Sequence, residues 1–177
     1  EEISRAIDLL GYVPDPAARA LASSRTDVIG VIIPSVTNSV FADVLRGIYT
    51  AVEKTPFDIQ LGNTRYSPLK EEKLLKVFLG QKPAGLIVSG IDQSERGRSL
   101  LETASCPVVQ IMETGENPVD MMIGFSHYEA ARAATIHLIE QGYRKLAFMG
   151  ARMDPRTQRR FQGFRQAAAE AGLFSEE

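Results

Sequence analysis

From Val28 onward, short apolar runs alternate with longer stretches in which apolar residues recur at helical spacing. The first run, Val28-Ile29-Gly30-Val31-Ile32-Ile33, is almost continuously apolar, the pattern of a strand buried on both faces. A helix is predicted from Asn38 to Lys54, with Phe41, Val44, Leu45, Ile48 and Val52 along one face. A strand from Phe57 to Leu61 leads to a helix from Pro68 to Leu79, where Pro68 suits the first turn. The pattern continues with strand Gly85 to Val88, helix Arg96 to Thr103, strand Val108 to Met112 and strand Met121 to Phe125. A helix from Tyr128 to Glu140 ends before Gly142, and strand Leu146 to Met149 precedes a helix from Arg156 to Ala171. Such alternation with short connections predicts an α/β fold, a parallel sheet with helices on both faces. The last strand–helix unit, from Tyr143 on, cannot bury both its apolar faces alone. It either extends the edge of the first sheet or opens a second lobe, and the second reading is preferred.

Ahead of the sheet the pattern changes. Ile3, Ala6, Ile7 and Leu10 repeat at helical spacing, and Gly11 ends that run. Asp15 is a good N-cap and Pro16 a good first helical residue, so a short alanine-rich helix is predicted to follow. Helices below about 12–15 residues are marginal alone in water, so this one needs something packed against it. On these grounds alone, a plain interdomain linker is the preferred reading of the segment over a functional helix.

Composition narrows the function classes. The 177 residues are 44% hydrophobic and 24% charged, ordinary for a globular protein of one or two domains. A net charge of −2 offers no overall basic field for nucleic acid, which argues mildly against a complete DNA-binding protein but not against an effector domain. The single cysteine, Cys106, suits a small core residue and a reducing, cytoplasmic setting. No apolar stretch approaches membrane-spanning length, and Glu1-Glu2-Ile3-Ser4-Arg5 lacks the basic-then-apolar layout of a signal peptide. An enzyme is not expected. The chain has neither the glycine-rich dinucleotide motif nor the phosphate-binding loop. With only His127, His137 and one cysteine, a metal site or a nucleophilic triad is hard to assemble, and no cofactor is expected. His137 falls within a helix pattern and is read as a helix-surface residue.

The run LLGYVPDPAARALASSRTDVIGVIIPSVTNSVFADVLRGI resembles the headpiece–hinge–effector junction of the LacI/GalR family of transcriptional repressors. Further stretches match in register: Gln60-Leu61-Gly62-Asn63, Ala84 to Val88, Pro107-Val108-Val109, and HLIEQGYRKLAFMG from His137 to Gly150. Through LRGI, IGFSHYEAAR and GARMDPRT, the chain looks most like the repressors of gluconate-utilisation operons. The resemblance implies a helix-turn-helix headpiece, a hinge helix and a two-lobed effector domain similar to periplasmic sugar-binding proteins. Residues 1–26 would then be the end of the headpiece and the hinge, 27–141 the first effector lobe, and 142–177 the start of the second. The helix-turn-helix itself and most of the second lobe would lie outside the chain. It further implies a cytoplasmic homodimer that binds operator DNA under control of a small sugar or sugar acid, gluconate or 6-phosphogluconate being suspected. Leu21 matches the hinge leucine that wedges between base steps in the minor groove, with Ala18 and Arg19 beside it on the DNA-facing helix. The rival reading is a periplasmic sugar-binding protein of a transport system, which would have no use for the hinge segment.

In open α/β sheets ligands sit beyond the carboxyl ends of the strands. Those ends carry Ser35, Thr37, Asn38, Asn63, Arg65, Asp92, Glu113, Arg152 and Arg156. Phe41 is either an aromatic platform for a sugar or a staple at its helix start. Glu113 either binds hydroxyls or forms a salt bridge to the second lobe. Arg65, Arg152 and Arg156 suit a carboxylate or phosphate, and the helix starting near Asn38 aims free N–H groups the same way. Any one of these arginines could instead be solvated, or pair with Asp92, Glu113 or Asp154. Arg156, next to Thr157, is the preferred effector contact. Ser126-His127 stands where many family members carry Asp-Asn, which puts an effector role for that pair in doubt.

Overall fold

The computed structural model describes residues 5, 9–11 and 26–174. From Val28 on, the described residues form ten elements in turn: β1 (Val28–Ile33), α1 (Ser39–Val52), β2 (Asp58–Asn63), α2 (Pro68–Gly80), β3 (Gly85–Ser89), α3 (Glu95–Glu102), β4 (Val108–Ile111), β5 (Met121–Ile123), α4 (His127–Glu140) and α5 (Pro155–Glu170). The strands form one sheet in the order β2-β1-β3-β4-β5. β1 runs parallel to both its neighbours, with Ile33 beside Asn63 and Ile32 beside Val88. This is the α/β class expected from the alternation of apolar runs.

Each helix starts where its side chains can satisfy its first N–H groups. Asn38, Ser67, Ser94, Ser126 and Asp154 are the N-caps, each accepting from a backbone N–H of the first turn. Pro68 and Pro155 occupy first-turn positions, where a missing N–H costs nothing. α4 closes at Gly142, whose N–H donates to the Ile139 carbonyl while the Tyr143 N–H reaches Leu138.

The chain divides into two compact units. The first comprises the described residues of Glu1–Ser89 with Gln93–Val109 and Val119–Met121. Its core joins Ile32, Val88, Leu86 and Val108 from the sheet to Leu75, Phe78 and Leu101 from α2 and α3. The expected face of α1 is recovered, with Phe41 buried and Val44, Leu45, Ile48 and Val52 half-buried.

The second unit comprises Gly90–Asp92, Gln110–Pro118 and the described residues of Met122–Glu177. Here α4 packs directly against α5. A β-carbon at Gly163 would lie 2.2 Å from the Tyr128 carbonyl oxygen and 3.0 Å from the Arg132 nitrogen, so the helices cross where α5 has no side chain. An ion pair between Arg132 and Glu170 (2.9 Å) joins the same two helices at the surface.

One predicted element needs correction. Residues 146–149 form no strand; they pair with no other segment among the described residues. Their burial still alternates, with Leu146 and Phe148 half-buried and Ala147 and Met149 exposed. Phe148 packs on Phe161 and Phe164 of α5, with ring centroids 5.4 and 5.7 Å away. Apolar alternation gives a segment one sticky face, but a strand also needs a ladder partner for its backbone.

Candidate functional site

In the first unit, the expected polar positions serve mainly to shape loops. The Ser35 hydroxyl accepts from the Thr37 and Asn38 N–H groups, both at 3.2 Å, and Asn38 Oδ1 accepts from the Val40 N–H (3.1 Å). After β2, Asn63 Oδ1 accepts from the Arg65 N–H (3.1 Å), and Arg65 and Tyr66 both turn through positive φ, 52° and 59°. The Arg65 side chain is thereby carried outward and is exposed. Phe41 is only 2% exposed, so its ring presents no open face within this unit.

The second unit gathers a charged cluster. Glu113, 1% exposed, sits just past β4, where its Oε1 accepts from the Thr114 N–H (3.1 Å) and the His127 N–H (3.4 Å). A β-carbon at Gly124 would come within 2.4 Å of the Glu113 backbone, so a residue with no side chain is required for the chain to pass so close. From α5, Arg159 spans two carboxylates: its Nη1 donates to Asp92 Oδ2 (2.9 Å) and Glu113 Oε2 (3.2 Å), and its Nη2 to Asp92 Oδ1. The hydrogen bonds to Asp92 hold Arg159 even more firmly in its charged form.

His127, also 1% exposed, opens α4 and lies on the other side of Glu113, with Nε2 3.8 Å from Glu113 Oε2. Its Nε2 is 3.1 Å from the Met112 carbonyl, and its Nδ1 is 3.1 Å from Arg160 Nε. An arginine nitrogen can only donate, so Nδ1 must accept and the proton must sit on Nε2, directed at Met112. Burial, reinforced by the positive charges of Arg160 and Arg156, lowers the pKa of this ring against the opposite pull of Glu113 and the Met112 carbonyl. The ring's neutral form is thereby favoured. Arg156 is half-buried and its guanidinium closes over Gly90. Thr157 is half-buried, its N–H donating to the cap Asp154 Oδ1 (2.9 Å).

Among the residues expected to form a site, the structure thus groups Glu113, Arg156 and Thr157 in one unit, whereas Asn38, Phe41 and Arg65 belong to the other. Arg152 is exposed. Leu21, Arg19 and Ala18 lie outside the described residues. The sequence reading missed Arg159, Arg160 and the part played by His127. The available signal was the spacing of Arg156, Arg159 and Arg160, which places three guanidinium groups on neighbouring positions of a helix surface. α5 thus brings Arg159 onto Asp92 and Glu113 and Arg160 onto His127, with the positive charge of Arg156 also felt at the His127 ring.

Residues 26–177 match the family of periplasmic binding proteins and the sugar binding domain of the LacI family. The chain belongs to the LacI family. It is 37% identical over 165 residues to the HTH-type transcriptional regulator GntR of Pseudomonas aeruginosa, covering 93% of this chain and 48% of that protein. To the GntR of Escherichia coli it is 37% identical over 172 residues, covering 97% and 52%. A LacI-family transcriptional regulator of Silicibacter pomeroyi has the same fold, with a TM-score of 0.91 and 41% identity over 98% of this chain and 53% of that one. The family resemblance, and the leaning within it towards regulators of the GntR type, are borne out. The chain spans about half the length of these LacI-family relatives. No helix among the described residues is long and apolar enough to cross a membrane.

Proposed function

We propose that this chain is the larger part of the regulatory half of a cytoplasmic transcriptional repressor, in which a small sugar or sugar acid controls binding to operator DNA. The observation that carries this reading is the match of residues 26–177 to the sugar binding domain of the LacI family. In this proposal residues 1–26 are the end of a headpiece and the hinge, 27–141 the first lobe and 142–177 the opening of the second. Ala18, Arg19 and Leu21 meet the minor groove, and the working form is a homodimer. The gathering of Arg156, Arg159 and Arg160 along the start of α5 supports an anionic effector, with gluconate as the leading candidate. A guanidinium fork suits a carboxylate, whereas a neutral sugar would need amides and carboxylates. Arg156 and Thr157 are proposed as its contacts from the start of α5 and Glu113 as the group that orders the loop beside them. Asn38, Phe41 and Arg65 of the first unit remain proposed as effector-binding residues on the family resemblance alone.

The test is made on the intact protein, by calorimetric titration with gluconate, 6-phosphogluconate and glucose and by fluorescence anisotropy on an operator fragment. An acid is expected to bind and to change operator affinity. Losing one charge-assisted contact in Arg156→Ala is expected to weaken acid binding roughly 10- to 100-fold. Leu21→Ala should weaken operator binding and leave the acid's affinity unchanged. Tight binding of glucose with neither acid bound would end the sugar-acid proposal, and full operator affinity in Leu21→Ala would remove the wedge.

A further inference from the structure

Arg159 and Arg160 are neighbours on α5 with opposite circumstances. Arg159 is spent on Asp92 and Glu113. Arg160 is exposed, and among the described residues its one hydrogen bond is from Nε to His127 Nδ1 (3.1 Å), which leaves both terminal nitrogens of its fork open. An arginine side chain otherwise loses substantial rotamer entropy when it is fixed, so an anchor at Nε decides where the fork points. That anchor is a ring held in turn by the Met112 carbonyl at its other nitrogen (3.1 Å) and by the edge-on Phe125 ring (centroids 4.7 Å apart).

We propose that His127 is a positioning residue, whose neutral ring aims the Arg160 guanidinium at an anionic effector and releases it when the ring is protonated. The proposal rests on the sugar-acid reading above for the identity of the anion, but not for the pairing itself. Protonation places a hydrogen on Nδ1, so the acceptor for Arg160 Nε–H is lost and an imidazolium faces a guanidinium. Of the two partners, the ring is the one that stays. It is buried, it keeps its bond to Met112, and its new charge is drawn to Glu113 Oε2, 3.8 Å from Nε2. The exposed Arg160 is the one that leaves. Glu113 also offsets the added positive charge, so the anion gains little attraction while losing an oriented fork. The charged groups facing the ring are Glu113 from the segment after β4 and Arg156 and Arg160 from α5. Burial and the two arginines lower its pKa, so release occurs on the acid side of the ordinary value of 6.5.

Two measurements on the intact protein test this. First, long-range proton–nitrogen correlation spectra separate His127 from His137, with His137→Gln for assignment. The expected result is an Nε2–H tautomer for His127, titrating below pH 6.5, with its Nδ1 signal and titration both moved by Arg160→Ala. An Nδ1–H tautomer, or a His127 signal indifferent to Arg160→Ala, would overturn the proposal. Second, gluconate is titrated calorimetrically between pH 7.5 and pH 5; its carboxylate stays charged through this window, unlike a phosphate monoester with a second pKa of about 6. The parent is expected to bind about tenfold more weakly at the acid end, the loss of one charge-assisted hydrogen bond. His127→Asn, whose amide oxygen replaces the Nδ1 acceptor without titrating, is expected to give a flat profile, and His127→Phe weak binding throughout. Identical profiles for the parent and His127→Asn would overturn the proposal. Should gluconate bind at neither pH, the sugar-acid reading falls, and the ring-nitrogen spectra alone decide whether His127 holds Arg160.

Discussion

His127 shows how one buried side chain ties charge state to stability as well as to site geometry. Its pKa is lowered in the fold, chiefly by burial, while the unfolded chain keeps the ordinary value of 6.5. Below that value the unfolded state binds the proton and the folded state resists it, so folding stability declines as pH falls. The contribution is fully present above pH 6.5 and is lost as pH falls through the depressed folded value. The Glu170 carboxyl, hydrogen-bonded by Gln166 and then Arg132, is also held below its ordinary value of 4.5, so its contribution disappears only at lower pH. Melting temperatures measured from pH 7.5 to pH 5 should therefore fall in the parent and stay nearly level in His127→Asn. Equal slopes for the two would assign the acid loss to some other group. None of this chemistry is visible in the residue type, because a lone histidine at a helix start is equally at home in water.

At the scale of elements, the helices are locally written and their meeting place is not. The five N-caps and both helix-starting prolines can be read from the chain, since a cap acts within three residues of itself. Helix starts came out within a residue or two for the same reason. The packing of α4 on α5 depends on Gly163 standing opposite Tyr128, which no local pattern announces. Gly163→Ala would raise helix propensity in isolation by about 0.5–1 kcal/mol. In the fold its β-carbon meets a backbone oxygen at 2.2 Å, and backbone cannot turn aside as a side chain can. Overpacking of this kind costs about 1–3 kcal/mol, so the variant should be less stable than the parent by denaturant titration. A more stable Gly163→Ala would mean that the helices are not in contact there. The segment 146–149 carries the complementary lesson: its alternation was legible, and its pairing was not, because a ladder requires a second segment that its own residues do not specify.

At the scale of the whole molecule, the proposed repressor should act as a dimer, since a hinge helix of the proposed length falls below the roughly 12–15 residues that a helix needs to be stable alone in water. Sedimentation equilibrium of the intact protein at micromolar concentration is expected to show a dimer; monomer alone would contradict it. The sequence by itself determined the α/β class, the order of the sheet strands and helices apart from the strand expected at 146–149, the helix starts and the LacI-family membership. Apolar period, caps and motif strings act between residues close along the chain, so they are legible before the chain folds. The tertiary structure alone decided which charges meet. Asp92 and Arg159 lie 67 positions apart and His127 and Arg160 33 apart, yet each pair is in hydrogen-bond contact. It also decided that Phe41 turns inward and that Arg159 rather than Arg156 joins both carboxylates. The physical reason is that an ion pair depends on distance in space, which the fold sets by packing whole elements, whereas a pattern along the chain records only which face each residue occupies.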